Sequence, residues 1–174
     1  GYASSENITT ASNNTAVGYN SLVANTTASN NTALGYAALT VNTTGASNVA
    51  MGTNALDANT TADNNTAVGT GALSSNTTGA QNTSLGTNAL ASNTTANYNT
   101  GVGYQAVYGN LTGTQLVGVG HNTLLANTTG SYNVAMGGFA LDANTTASYN
   151  TAVGYNSLTA NTTGVSNVAV GYLA

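Results

Sequence analysis

One reactive pattern recurs throughout this chain. Asn7, Asn25, Asn42, Asn59, Asn76, Asn93, Asn110, Asn127, Asn144 and Asn161 each head an Asn-X-Thr triplet. Such a triplet accepts an N-linked glycan when it sits on an exposed loop. After Asn25 the triplet reads Asn-Thr-Thr in every copy but one, where Leu111 takes the middle place. The third residue stays Thr in all of them, as an acceptor requires. Asn and Thr also favour turns, so the same spelling serves a turn with no sugar on it. Asn13, Asn30, Asn64 and Asn82 head further triplets at or beside a second recurrent Asn.

Other chemistry is sparse. The carboxylates are Glu6, Asp57, Asp63 and Asp142, and the one histidine is His121. Asp57 and Asp142 share a phase of a 17-residue period, five repeats apart. Stacked at strand spacing, they stand about 24 Å from each other, whereas a glycosidase pair needs roughly 5–9.5 Å. His121 has neither cysteine nor a second histidine to complete a transition-metal site, and reads as a surface variant. The periodic glycines open no helix, so no phosphate loop qualifies. No catalytic, cofactor-binding or metal-binding residue is expected, and the chain reads as a non-enzyme.

Composition narrows the partners. Lys and Arg are absent, and charged residues make up 2% of 174, against roughly 25% in ordinary soluble domains. With no cation to neutralise phosphate, nucleic-acid binding is not expected. No apolar run approaches the roughly 20 residues of a membrane-spanning helix, so no membrane insertion is expected. The surface must stay soluble through Asn, Thr and Ser, or through attached glycans. The opening Gly1 reads as a processed product or a segment of something longer.

The elements that would place these residues follow from the repeat. Glycine stands at 1, 18, 35, 52, 69, 86, 103, 120, 137, 154 and 171, which makes ten 17-residue repeats and a four-residue start of an eleventh. One repeat domain over 1–174 is expected. Counting each glycine as position 1, position 5 is Leu or Val from the second repeat on, positions 8 to 10 read Asn-Thr-Thr, and position 14 is Asn except at Leu116. Positions 15 to 17 alternate Thr/Val, a small residue, then Val/Leu/Met, the period of a strand. Glycines, Asn-Thr clusters and β-branched residues leave no room for a helix. The expected fold is all-β: a parallel β-solenoid with one coil per repeat and like residues stacked over like.

Four placements follow. Leu22, Leu39 and Leu56 should form one interior column, joined by the position-17 side chains. The Asn at position 14 should point inward as an amide ladder, and the Asn at position 8 should lie on an exposed turn. The uniformly small residues at position 16 should meet a close neighbour, either another wall of the coil or a second chain. The glycine at position 1 should supply a backbone angle closed to other residues, or room for a close contact.

Asn14-Thr15-Ala16-Val17-Gly18-Tyr19-Asn20-Ser21-Leu22 resembles the head repeat of trimeric autotransporter adhesins, and similar repeats occur in phage tail-fibre-like proteins. The likeness recurs at 48–52, 65–69, 133–137, 150–154 and 167–171. It implies a left-handed β-roll, often trimeric, on the outside of a cell or virion and acting in attachment. The coil departs from that pattern by its length, since Asn-Thr-Thr fills extra space.

The function expected is therefore a structural extracellular fibre or adhesin segment, self-associating end to end, laterally at position 16 or as a homotrimer, and carrying glycans. Gly1 and Ala174 cut the repeat at matching phase, so the ends suit continuation of the column. Two alternatives stand beside it. Carbohydrate or receptor binding would use the recurrent Tyr at position 2, and ice binding would use the Thr9 column.

Overall fold

The computed structural model describes residues 3–174, so Gly1 and Tyr2, whose glycine and tyrosine belong to the repeat pattern, lie outside the described residues. Each repeat contributes one short strand: β1 (Thr15–Val17), β2 (Thr32–Leu34), β3 (Val49–Met51), β4 (Thr66–Val68), β5 (Thr83–Leu85), β6 (Thr100–Val102), β7 (Val117–Val119), β8 (Val134–Met136), β9 (Thr151–Val153) and β10 (Val168–Val170). They form one ten-stranded sheet in sequence order. Pairing is parallel and in register, with Thr32 beside Val49, Ala33 beside Ala50 and Leu34 beside Met51. The chain is a parallel β-solenoid with a 17-residue coil. At about 4.8 Å per rung, ten coils make a rod about 48 Å long.

Hydrogen bonds join the coils beyond the strands as well. Leu39 N donates to Ala55 O at 3.1 Å and Thr43 N to Thr60 O at 2.9 Å. Ala37 N donates back to Tyr19 O at 2.9 Å and Ser47 N to Ser29 O at 3.1 Å. Backbone groups on every wall are thus paired with the next coil, which lets the chain do without long strands.

Corners come from left-handed backbone. In the third coil Ala37 has φ 55°, Leu39 φ 51° and Ser47 φ 58°, and the same positions repeat along the rod. A bulky residue such as leucine loses about 1–2 kcal/mol in this region. Leu39 is fully buried, which returns about 1.5–3 kcal/mol. Burial therefore outweighs the strain at this corner.

The core has two halves. In the apolar half, Leu22, Leu39, Leu56, Leu73, Leu90, Val107, Leu124 and Leu141 stack as one fully buried column, as expected. The facing column is not position 17. It is position 16, where Ala33, Ala50, Ala67, Ser84, Ala135 and Ala152 are fully buried. Position 17 points outward, with Leu34 42% and Leu85 47% exposed. The expected strand face is therefore inverted, and position 16 meets another wall of its own solenoid rather than a second chain. The cause is width, since a coil this narrow holds one large side chain per layer and leucine at position 5 already occupies it. The fit is close at Gly118, where an added Cβ would lie 2.5 Å from Val107 Cγ2 and 3.0 Å from Thr123 Oγ1. Thr123 occupies a position that is Ala or Ser in the other coils, and the strand residue facing it has shrunk to glycine.

The other half of the core is polar. At position 14, Asn48 Oδ1 accepts from Asn65 N at 2.9 Å while Asn48 Nδ2 donates to Ala62 O at 2.8 Å. The pattern repeats at Asn65, whose Oδ1 accepts from Asn82 N at 2.9 Å and whose Nδ2 donates to Gly79 O at 2.8 Å. The inward ladder expected there is present, and Leu116 interrupts it while staying fully buried.

Candidate functional site

The candidate glycan acceptors split by position. Asn25, Asn42, Asn59, Asn76, Asn93, Asn110, Asn127 and Asn144 are fully buried, which corrects the exposed turn expected for them. Each amide closes its own turn from inside and hands a bond to the next coil. Asn76 Nδ2 donates to Gly79 O at 2.9 Å and to Asn59 Oδ1 at 3.1 Å, and Asn76 Oδ1 accepts from Asn93 Nδ2 at 3.0 Å. Both amide hydrogens are used, and no side-chain atom faces solvent. The motif is divided by the wall, because Thr27, Thr44, Thr61 and Thr78 two residues on lie on the outer side. Asn161 is part-buried and continues the ladder with a 3.2 Å bond to Asn144 Oδ1. Asn7 is exposed, with Nδ2 donating to Val23 O at 2.7 Å.

Asn13, Asn30 and Asn64 also head triplets and are exposed, whereas Asn82 is fully buried. Asn13, Asn30 and Asn64 occupy position 13, a left-handed corner with φ 59°, 65° and 60°, a conformation asparagine tolerates. An N-glycosylating host is therefore expected to modify Asn7, Asn13, Asn30 or Asn64 and to leave the position-8 column from Asn25 to Asn144 bare. Glycopeptide mass spectrometry reads this directly, and sugar on Asn59 or Asn76 of the folded chain would contradict the burial.

The titratable groups are scattered. Asp63 Oδ1 accepts from Ala46 N at 2.7 Å, and Asp142 Oδ1 accepts from Thr159 Oγ1 at 2.6 Å. Asp57 holds the same coil position as Asp142, but its Oδ1 is buried without a partner. Burial pushes its carboxyl above the usual carboxylate range, against the lowering effect of the Asp57 and Ala58 backbone N–H groups. Folding thus favours the protonated carboxyl over the ionised one relative to the unfolded chain. The stabilisation this gives is full below the unfolded pKa and is lost as pH rises through the raised folded pKa. Asp57→Asn is expected to flatten that part of the profile and to raise stability at neutral pH. Urea midpoints at about pH 3 and about pH 7 measure it, and an unchanged pH slope would rule out Asp57 as its source. No group of three metal-ligating side chains occurs among the described residues.

Aromatic rings line two outer columns. At position 2, Tyr19 stacks on Tyr36 with centroids 5.3 Å apart, and His121 stacks on Tyr104 at 5.4 Å. The histidine is an exposed rung of that column, as a surface variant should be. A second column at position 13 carries Tyr98, Tyr132 and Tyr149, and sequence reading passed over it. Tyr132 and Tyr149 stack at 5.0 Å and 3°. Three tyrosines at a constant phase of 17 were the available signal. Rings stacked this way turn their faces to each other and their edges to solvent, which removes the flat face a sugar would stack on.

The Thr9 column is committed to the rod itself. Thr43 Oγ1 donates to Thr60 O, Thr60 Oγ1 to Thr77 O and Thr77 Oγ1 to Thr94 O, each at 3.1 Å.

No family model, no curated protein and no solved structure matches this chain.

Proposed function

We propose that the chain is a structural rod, a segment of an extracellular fibre or adhesin on a cell or virion surface, with no catalytic task. One observation supports this most: the same contacts repeat from coil to coil, in backbone, leucine column and both asparagine ladders. A solenoid in which each coil binds only its neighbours is specified for length and stiffness. The carboxylates and His121 are spread over four coils, and Asp57 and Asp63, which share one, hold different positions in it, so nothing about them is convergent. An open edge of a parallel solenoid templates another coil, so end-to-end pairing of copies would extend the rod into a filament. Exposed acceptors at Asn13, Asn30 and Asn64 would place any glycans along one corner.

Electron microscopy of the purified chain tests the shape. Straight rods about 48 Å long, or multiples of that, are expected, and round or irregular particles would refute the reading. Antibody labelling of intact source cells or particles tests the location, and signal appearing only after lysis would refute it. The second reading, carbohydrate or receptor binding, draws on Tyr98, which is 56% exposed and lies outside the Tyr132–Tyr149 stack. A glycan array probes it.

A further inference from the structure

We propose that the outer face of the strand stack docks a second copy of this chain, sheet against sheet, as a two-fold pair of rods. This deepens the rod reading by naming the surface on which rods associate.

The face is built by the outward residues of β1 to β10. Leu34, Met51, Leu85 and Met136 stand 38–47% exposed at position 17, and the other six rungs carry valine there. Position 15 beside them is Thr or Val in every coil. All four carboxylates lie at other coil positions and His121 stands at the edge in the ring column, so no Asp, Glu, Lys or Arg lies on the face. From position 15 to the ring column at position 2 spans about 13 Å, and ten rungs span about 48 Å. That is roughly 600 Å² of flat, mostly apolar surface, at the upper limit of what a soluble monomer leaves open.

The geometry points to a second copy as the occupant. With no charge on the face, a charged partner finds nothing to complement. A partner with a different rise matches a few rungs and then drifts out of phase. Another copy has the same rise and keeps its rungs in step along the full rod. Two such faces bury roughly 1,200 Å² together, which reaches the range of specific interfaces. Sheets of this kind pack about 10 Å apart with interdigitated side chains, and in an antiparallel pair aligned over all the rungs Leu34 meets Val153, Leu85 meets Val102 and the pliant Met51 meets Met136. One flat face accepts one partner face, so the pair closes and does not propagate sideways.

Sedimentation of the full chain tests this. The unmodified chain is expected to be a dimer at about 100 μM, burying a standard-sized interface. Leu34→Glu with Leu85→Glu is expected to raise the dimer dissociation constant at least about 100-fold, as buried unpaired charges do, with an unchanged far-UV CD spectrum. Thr44→Glu with Thr78→Glu adds the same charge on the outer side of position 10 and should leave the dimer intact. If the first variant unfolds, Leu34→Thr with Leu85→Thr keeps β-branched side chains on the strand and should still weaken pairing. A monomer at that concentration, a dimer indifferent to both face variants, or a trimer would overturn the proposal. Micrographs separate the two readings: single-width rods sink the pairing alone, and the absence of rods sinks the rod.

Discussion

Asn76→Asp is expected to destabilise the rod by about 3–5 kcal/mol at neutral pH, the range for a buried charge left without its partners. The substitution changes one NH2 into one oxygen. It removes the donors to Gly79 O and Asn59 Oδ1, which lie at 2.9 and 3.1 Å. A carboxylate then faces two oxygens at those distances with no exposure to water. Only the bond from Asn93 Nδ2, at 3.0 Å, survives. Protonation would restore one donor, so the loss should shrink in acid, and urea unfolding followed by far-UV CD at about pH 7 and about pH 4 checks the sign. Because coils bind only their neighbours, hydrogen exchange should speed first in the coils around Asn76 and least at the ends. Asn65→Leu offers the comparison. Position 14 already accepts Leu116 in a fully buried setting, and a leucine leaves no unpaired charge. Equal midpoints for Asn76→Asp and the unmodified chain would mean that the position-8 amides bear no weight.

The repeat made the coil, its length and the leucine column legible, because period and phase are properties of the sequence. The direction of each side chain was legible only in part. Alternation at 15 to 17 does mark a strand, but alternation alone leaves two faces open. Bulk at position 17 pointed inward on polarity, whereas Leu39 had already filled the layer and only Ala33 or Ala50 fits across from it. Polarity misleads at Asn-Thr-Thr for a related reason. Asn42 lies inside because its amide pairs with Gly45 O at 2.9 Å and Asn59 pairs with it at 2.9 Å, and a paired amide carries no burial penalty. The left-handed leucines gave no local sign at all, since their strain is compensated by a column that exists only after the coils stack. The surface columns at 13 and 17 were visible as repeats but silent as to side.

Gly69→Ala is expected to be as damaging, at about 4 kcal/mol, because two costs fall on one methyl. Gly69 has φ +131°, a region nearly reserved for glycine, where a side chain costs about 1–3 kcal/mol. An added Cβ would also lie 2.6 Å from both the carbonyl carbon and the oxygen of Gly86. That obstacle is backbone, held by the 2.8 Å bond from Gly86 N to Val68 O. It can recede only if two coils part, and overpacking of this kind costs about 1–3 kcal/mol more. The neighbouring Gly71 separates the two costs. Its φ is +65°, and Asn54 and Asn88 hold the same position in adjacent coils at φ 55°. The nearest atom to a Cβ there is Asn88 Oδ1, the end of a flexible side chain. Gly71→Asn should therefore shift the unfolding midpoint little, while Gly69→Ala should lower it severely. Were the alanine at 69 tolerated as well as the asparagine at 71, the coil spacing would have to be set elsewhere than at the glycine corner.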